Sequence, residues 1–89
     1  MRDRYLEVTY RQGRPLAAYL YLPRATGVRS ARTASATAGL LVDYGPDGAP
    51  IGIEITAPSH TTLELLNRVL GALGHPPLEP ADVAPLAAA

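Results

Sequence analysis

Two carboxylates come nearest, in type and spacing, to a pair that could do acid–base chemistry. Asp43 and Glu54 lie on the two arms of a predicted β-hairpin, on the face opposite its isoleucines. As a general acid and base they would need a cleft and shifted pKa values. As ordinary solvent-facing residues paired with Arg29 or Arg32 they would need neither. The second interpretation is the simpler one, and a small hydrolase or ligand-binding protein built on the pair stays an alternative.

Two tyrosines are predicted to share that polar face. Tyr19 and Tyr21 alternate along a strand with leucines that point the other way. Their rings could stack on nucleobases or on arginine, or they could be half-buried strand residues with hydrated hydroxyl groups. We expect the latter. The predicted polar-face site comprises Tyr19, Tyr21, Asp43 and Glu54.

No catalytic residue, cofactor site or metal site is predicted. The chain has no cysteine and two histidines. His60 and His75 flank a predicted helix, which places them about 22 Å apart at 1.5 Å per residue. Ser30, Ser35 and Ser59 form no nucleophile motif with a histidine, and no glycine-rich loop joins a strand to a helix as phosphate binding requires.

The polar face depends on the hairpin that carries both carboxylates. Apolar residues alternate in residues 40–44 and again in residues 51–55, which is the period of a strand with one buried face. Between them lies a Gly-Pro-Asp-Gly sequence, residues 45–48. Its proline presets φ, its aspartate can bond its own backbone, and its last glycine can take a left-handed φ. The pattern predicts a β-hairpin with a loop of about four to five residues.

Further strands are predicted before the hairpin. Residues 5–11 and 16–22 each alternate between two faces, and their short connection makes them antiparallel. Residues 28–38 are small and β-branched, which predicts an irregular strand. Such a strand is either a weakly held edge or a place where something can approach closely.

A single helix is predicted over residues 60–73. Leucines recur there at intervals of three and four residues, and a glycine followed by two prolines ends the pattern. Thr61 and Glu64 fit a capping box, with Ser59 as a rival N-cap. Gly71 weakens the helix by up to roughly 1 kcal/mol, unless it lets the helix backbone lie close to the sheet.

The order of these elements predicts the α+β class, as an antiparallel β-meander of four to five strands with one C-terminal α-helix packed on one face. We expect one domain over residues 1–77 and a frayed tail, rich in proline and alanine, over residues 78–89. Five strands span roughly 20 Å, whereas one helix covers about 10 Å. A second copy of the chain, as in a homodimer, or a small partner protein should therefore cover the rest. The residues of this predicted interface are Leu16, Leu20, Val42, Ile53, Leu66 and Leu70.

Charge is unevenly distributed along the chain, although the formal net charge is zero. Residues 1–32 hold seven arginines and two acidic residues, and residues 33–89 hold one arginine and six acidic residues, so the two parts carry +5 and −5. If the strands of the two parts interleave in the sheet, their opposite charges lie close together and their electrostatic fields cancel. If they do not, nucleic-acid binding is the alternative, through Arg11, Arg14, Arg29 and Arg32.

No membrane segment is expected. No run approaches the roughly 18 apolar residues of a membrane span, and the N-terminus lacks the apolar core of a signal peptide. These patterns predict a cytoplasmic protein with no membrane partner.

The central hairpin resembles a known family. Residues 42–55, Val-Asp-Tyr-Gly-Pro-Asp-Gly-Ala-Pro-Ile-Gly-Ile-Glu-Ile, are similar to the bacterial and archaeal domain-of-unknown-function family numbered 2283. Its members typically read Val-Asp-Tyr-Asp-x-Asp-Gly-x-(Val/Ile)-(Val/Ile)-Gly-Ile-Glu-(Ile/Val), followed by an Ala-Ser element. Ala57 and Ser59 lie where that element would fall. The residues at 18–22 and 31–33 resemble the family's second and third strands, so the resemblance covers residues 5–59.

One loop departs from the family pattern. The family usually opens with a Tyr-Asp-Pro-x-x-Asp turn, whereas Tyr10 is followed here by Arg-Gln-Gly-Arg-Pro, residues 11–15, with no acid. The family has no established activity, and the resemblance implies a fold and, by analogy alone, an antitoxin-like or accessory role. The leading hypothesis is a non-catalytic protein–protein interaction module.

Overall fold

Five antiparallel strands form one sheet, as the alternation of apolar residues predicts. The computed structural model describes residues 4–24 and 27–87. The strand order is β1-β2-β5-β4-β3, and every neighbouring pair is antiparallel. The predicted α+β class is therefore confirmed. The strands are β1 (Tyr5–Arg11), β2 (Arg14–Tyr21), β3 (Arg32–Thr37), β4 (Leu40–Tyr44) and β5 (Pro50–Ile55).

The strand order differs from a continuous meander at one connection. After β2 the chain passes to the far edge of the sheet, and β3, β4 and β5 then return so that β5 pairs with β2. Tight turns at residues 12–13, 38–39 and 45–49 keep the other successive strands adjacent. The connection over residues 22–31 is long enough to cross the roughly 14 Å between β2 and β3.

The loop of the central hairpin has the predicted turn chemistry. The N–H of Gly48 donates to the carbonyl of Gly45 at 2.9 Å, and the Asp47 carboxylate accepts from the N–H of Ala49 at 3.0 Å. Gly48 has a φ of 87°, in the left-handed region that favours glycine. These contacts set the register of β4 against β5.

Helix α1 begins later than predicted, and further helical turns follow it in the C-terminal segment. Helix α1 begins at residue 63 rather than 60, because a 3-10 turn precedes it and Thr62 is its N-cap, accepting from the N–H of Leu65 at 3.1 Å. The predicted capping box is wrong: Thr61 donates to the carbonyl of Ala57, and Glu64 pairs with Arg68 at 3.2 Å. The elements are a 3-10 turn at Pro58–His60, α1 at Leu63–Ala72, a 3-10 turn at Pro80–Val83 and α2 at Ala84–Ala87.

Two further expectations for the helices are tested. A Cβ added at Gly71 would meet nothing within 4 Å, so this glycine does not serve a close approach to the sheet. None of the described helices combines the length and the apolarity needed to cross a membrane.

The C-terminal segment, residues 75–87, is part of the core rather than a frayed tail. Leu78 and Leu86 are only 6% and 7% exposed and join the same cluster as the sheet leucines. The side-chain amide of Asn67 holds the segment on α1, since it accepts from the N–H of Leu78 at 2.7 Å and donates to the carbonyl of Leu78 at 3.2 Å. Arg4 donates to the carbonyls of residues 76 and 77. The boundary predicted at residue 77 is therefore corrected.

This segment also corrects the predicted interface. The prediction left the apolar face half covered because it counted α1 alone; the C-terminal segment supplies the missing cover. Leu16, by contrast, is 52% exposed next to an irregularity in the β1–β2 register. The other five predicted interface residues are at most 1% exposed and lie in the core of the single chain: Leu20, Val42, Ile53, Leu66 and Leu70.

Candidate functional site

The face of the sheet opposite α1, here called the open face, carries the predicted polar site. The buried leucines of α1 and of the C-terminal segment all belong to the core on the other face. The strand register arranges the residues of the open face in cross-strand rows. One row is Tyr5, Tyr21, Gly52, Asp43 and Thr33; the next is Glu7, Tyr19, Glu54, Leu41 and Ser35.

Three rings on this face form the tyrosine cluster, in which Tyr21 contacts both Tyr5 and Tyr19. Tyr5 stacks on Tyr21 with 4.4 Å between ring centroids and 14° between planes. Tyr19 meets Tyr21 edge-on at 4.7 Å and 63°. The guanidinium of Arg24 lies 5.0 Å from the centroid of the Tyr21 ring. Stacked and edge-on pairs of this kind stabilise by about 0.5–1.5 kcal/mol beyond their buried area.

Tyr19 crosses a neighbouring strand to reach a carboxylate. Its hydroxyl donates to Oδ2 of Asp43 at 2.7 Å, although β5 lies between β2 and β4. The crossing is possible because Gly52 has no side chain: a Cβ there would lie 2.1 Å from the Tyr19 hydroxyl oxygen. The hydroxyl of Thr33 donates to the other oxygen of Asp43. Both oxygens of Asp43 on β4 therefore accept a hydrogen bond, one from Thr33 of the adjacent β3 and the other from Tyr19 of β2, across β5.

The hydroxyl groups of two cluster tyrosines hold their protons more tightly than usual. Burial raises the pKa of Tyr19 well above its ordinary value, and the hydrogen bond to Asp43 and the charge of Asp43 raise it further. Burial also raises the pKa of Tyr21, with the charge of Glu7 as the next cause. Tyr21 donates to Glu7 at 3.3 Å. Both hydroxyl groups therefore stay protonated at neutral pH and donate to these carboxylates.

The two predicted carboxylates have different surroundings. Asp43 is engaged by two hydroxyl groups, whereas Glu54 is exposed. Arg32 does not pair with Asp43; its guanidinium lies 4.1 Å over the Tyr44 ring. The described residues line grooves of about 480, 370 and 280 Å³, and neither Asp43 nor Glu54 lines any of these three.

The arginines of the nucleic-acid alternative lie far apart. Arg11 and Arg14 face each other at the tip of the β1–β2 hairpin. Arg32 begins β3, at the opposite edge and opposite end of the sheet, and Arg29 lies three residues before it. Four strand spacings separate those two edges, roughly 19 Å. The four side chains therefore belong to two separate regions, and the tyrosine cluster between them is flanked by carboxylates.

Sequence reasoning found part of the site. It placed Tyr19, Tyr21 and Asp43 on one face, and the structure brings these three into contact. It missed Tyr5, Thr33 and Gly52. The available signal was the glycine inside a strand pattern, which often marks a close approach of another group. Among the described residues, no three histidine or acidic side chains come close enough together to hold a metal ion.

No protein-family model, curated protein or solved structure matches this chain. The resemblance of the hairpin to family 2283 therefore stays a prediction.

Proposed function

We propose that this protein is a non-catalytic, cytoplasmic protein-interaction module that binds a basic partner protein on the open face. The tyrosine cluster is the observation that carries the proposal, because three rings joined through Tyr21 form an aromatic surface on the face opposite α1 and the C-terminal segment. Tyrosine is enriched at interface hot spots, since it offers a large contact area and a hydroxyl at little cost in conformational entropy.

Charge favours a partner rich in arginine or lysine. Among the described residues, the strand register places three carboxylates next to the cluster, those of Glu7, Asp43 and Glu54, and the guanidinium of Arg24 contacts the Tyr21 ring. Arg24 stacked on Tyr21 illustrates how a partner arginine would sit on the remaining rings. A cation there gains from both the ring quadrupole and the nearby carboxylates.

A second copy of the chain is a poorer occupant of this face. In a two-fold dimer the same patch meets itself, so the three carboxylates would face three more, and like charges across an interface cost several kcal/mol. The predicted need for a dimer also rested on an uncovered apolar face, which the C-terminal segment covers. Phosphate groups of a nucleic acid would meet the same carboxylates.

The test is co-purification from the host with charge and ring variants. We expect the tagged wild-type chain to elute above its own mass of 9.4 kDa with one basic protein identified by mass spectrometry. Tyr5→Ser, which removes a 39% exposed ring, and Glu54→Lys should each release that protein.

Matched controls lie off the open face. Tyr10→Ser removes a 48% exposed ring whose hydroxyl bonds Pro85, and Glu64→Lys makes the same charge reversal on α1. Both should keep the partner bound. If Tyr5→Ser and Glu54→Lys fold, by circular dichroism, and still retain the partner, or if the bound species is a nucleic acid, the proposal is overturned.

A further inference from the structure

A second candidate surface lies on the other side of the sheet, between β3 and α1. A groove of about 480 Å³ opens there, within the roughly 300–1,000 Å³ range of ligand pockets. The β3 side of the groove has only the small side chains of Ala36 and Thr37, whereas β4 and α1 contribute larger ones. The apolar residues of the β4 and α1 walls are Val42, Tyr44, Leu65, Val69, Ala72 and Leu73.

The strand that borders this groove is an edge of the sheet. β3 pairs with β4 alone among the described strands, so its outer side presents backbone N–H and C=O groups as a template for another strand. The register of β3 on β4 is regular from Arg32 to Ser35 and shifts after Ser35. Residues 32–35 are therefore the stretch on which a further strand could pair without interruption.

The rim of the groove is cationic. Arg68 lines it, and Arg32 lies 4.1 Å over the Tyr44 ring that forms part of its wall. Within residues 4–24 and 27–87, no acidic residue lines the groove. Glu64 does pair with Arg68 at 3.2 Å, but their side chains are 84% and 71% exposed. Such an exposed pair contributes little and is readily exchanged for another carboxylate.

We propose that this groove binds an extended peptide segment of a partner protein, which pairs with residues 32–35 of β3. The backbone of the segment adds a sixth strand to the sheet. Beyond the paired stretch, its inward apolar side chains occupy the groove beside Ala36 and Thr37, the β3 residues that line it. An acidic side chain lies against Arg32 or Arg68. Backbone pairing supplies affinity in this mode of recognition, and the pockets for alternate side chains supply specificity.

The groove is separate from the open face, since α1 forms one of its walls. The two proposals can therefore fail independently.

The probe is a capped hexapeptide in which valine alternates with glutamate and threonine. We expect it to shift the NMR resonances of residues 32–35 and 68–73 but not those of Tyr5 and Tyr21. Two variants should each weaken its binding by about tenfold or more, a loss of roughly 1.4 kcal/mol. Ala72→Phe fills the groove from an exposed position, and Arg68→Glu reverses the charge of the rim.

Control probes separate the parts of the proposal. The same peptide with N-methylated backbone groups, which cannot add to an edge strand, should not bind. The peptide with arginine in place of glutamate should bind the wild type weakly and the Arg68→Glu variant better.

Four outcomes overturn the proposal. The first is no binding of the glutamate peptide at millimolar concentration, and the second is an unchanged affinity for it in Ala72→Phe and Arg68→Glu. The third is a groove that binds the fatty acid decanoate but not the peptide, and the fourth is dimerisation of the chain through β3. Because Ala72 and Arg68 are exposed, both variants should fold, which circular dichroism checks.

Discussion

Different interactions stabilise the two faces of the sheet. The covered face is a continuous aliphatic layer in which Leu20, Ile53 and Leu66 are at most 1% exposed. The open face has no such layer. It is ordered by a few directional contacts, chiefly the hydrogen bond from Tyr19 to Asp43 and the stacking of Tyr5 on Tyr21.

This difference sets how each face responds to change. Burial of apolar area is non-directional and indifferent to pH, so substitutions on the covered face should cost stability according to the volume removed. Hydrogen bonds and ring contacts depend on geometry and on protonation. The open face should therefore be sensitive to a single added methyl group and to alkaline pH, while the covered face should not respond to pH.

The largest effect is expected where the C-terminal segment closes the covered face. Leu78→Ala removes a 6% exposed side chain from the core and should lower the free energy of unfolding by roughly 2–5 kcal/mol. Asn67 keeps both backbone groups of residue 78 bonded to α1, so the cavity can collapse only in part. Urea denaturation followed by circular dichroism measures the loss.

Leu16→Ala is the matched control for Leu78→Ala. Leu16 is 52% exposed, and its truncation should change the free energy of unfolding by less than about 0.5 kcal/mol. Equal losses at the two leucines would show that the C-terminal segment does not belong to the core.

The next effect is expected on the open face, at Gly52. Gly52→Ala places a methyl group 2.1 Å from the Tyr19 hydroxyl oxygen, so the ring must leave its position and the bond to Asp43 breaks. Overpacking of this kind costs about 1–3 kcal/mol. Stability from urea denaturation and the Tyr19 resonances in NMR spectra both report the change.

A double variant separates overpacking from a general intolerance of alanine in β5. Without the Tyr19 ring there is no clash, so Gly52→Ala should cost far less in a Tyr19→Ser background than in the wild type. If the cost is the same in both backgrounds, the crossing of Tyr19 over Gly52 is not the reason for the glycine.

Much of the covered face could be predicted from the sequence, because periodicity reports burial. Strict alternation in residues 40–44 and 51–55 and leucine spacing in α1 gave the strands, the helix and the α+β class. The burial of the C-terminal segment was not predicted because its apolar residues show no periodicity. Leu78 and Leu86 lie among prolines and alanines. The same omission turned core residues into a predicted interface.

The open face could be predicted only in outline. Alternation places Tyr19, Tyr21 and Asp43 on one side of the sheet, as the structure confirms. Their contacts depend on strand order, which no local pattern encodes. A ten-residue connection, residues 22–31, brings β5 rather than β3 beside β2, and only that order puts Gly52 beneath the Tyr19 ring.

Alkaline pH should weaken the open face but not the covered face, and the loss in the free energy of unfolding should be smaller than that caused by Gly52→Ala. A tyrosine in the unfolded chain titrates near pH 10, whereas folding raises the pKa of Tyr19 through burial and then through Asp43. Above about pH 10 the unfolded chain therefore binds fewer protons than the folded chain, and the free energy of unfolding falls as pH rises toward the raised pKa. Below pH 10 the contribution of Tyr19 is fully present.

In the Tyr19→Phe variant, the free energy of unfolding measured by urea denaturation should fall less steeply with pH between about pH 8 and pH 11 than in the wild type. The remaining slope includes Tyr21, whose pKa burial also raises. Tyr10→Phe, at a hydroxyl that bonds Pro85, controls for the loss of one tyrosine. A decline of equal slope in wild type and Tyr19→Phe would contradict the role given to the Tyr19–Asp43 bond.

The smallest effect is expected at a glycine that touches neither face. Gly71 lies in the interior of α1, is exposed, and has nothing within 4 Å of an added Cβ. Gly71→Ala should therefore raise the free energy of unfolding by up to about 1 kcal/mol, because alanine reduces the conformational freedom of the unfolded chain and favours the helix. In the same urea denaturation assay, Gly71→Ala should raise the free energy of unfolding and Gly52→Ala should lower it. Such a difference would show that the glycine at position 52 is required by the contacts of the open face, and not by the helix or strand propensity of the residue. A loss of stability at Gly71 would instead mean that the helix backbone lies closer to a neighbouring element than the structure places it.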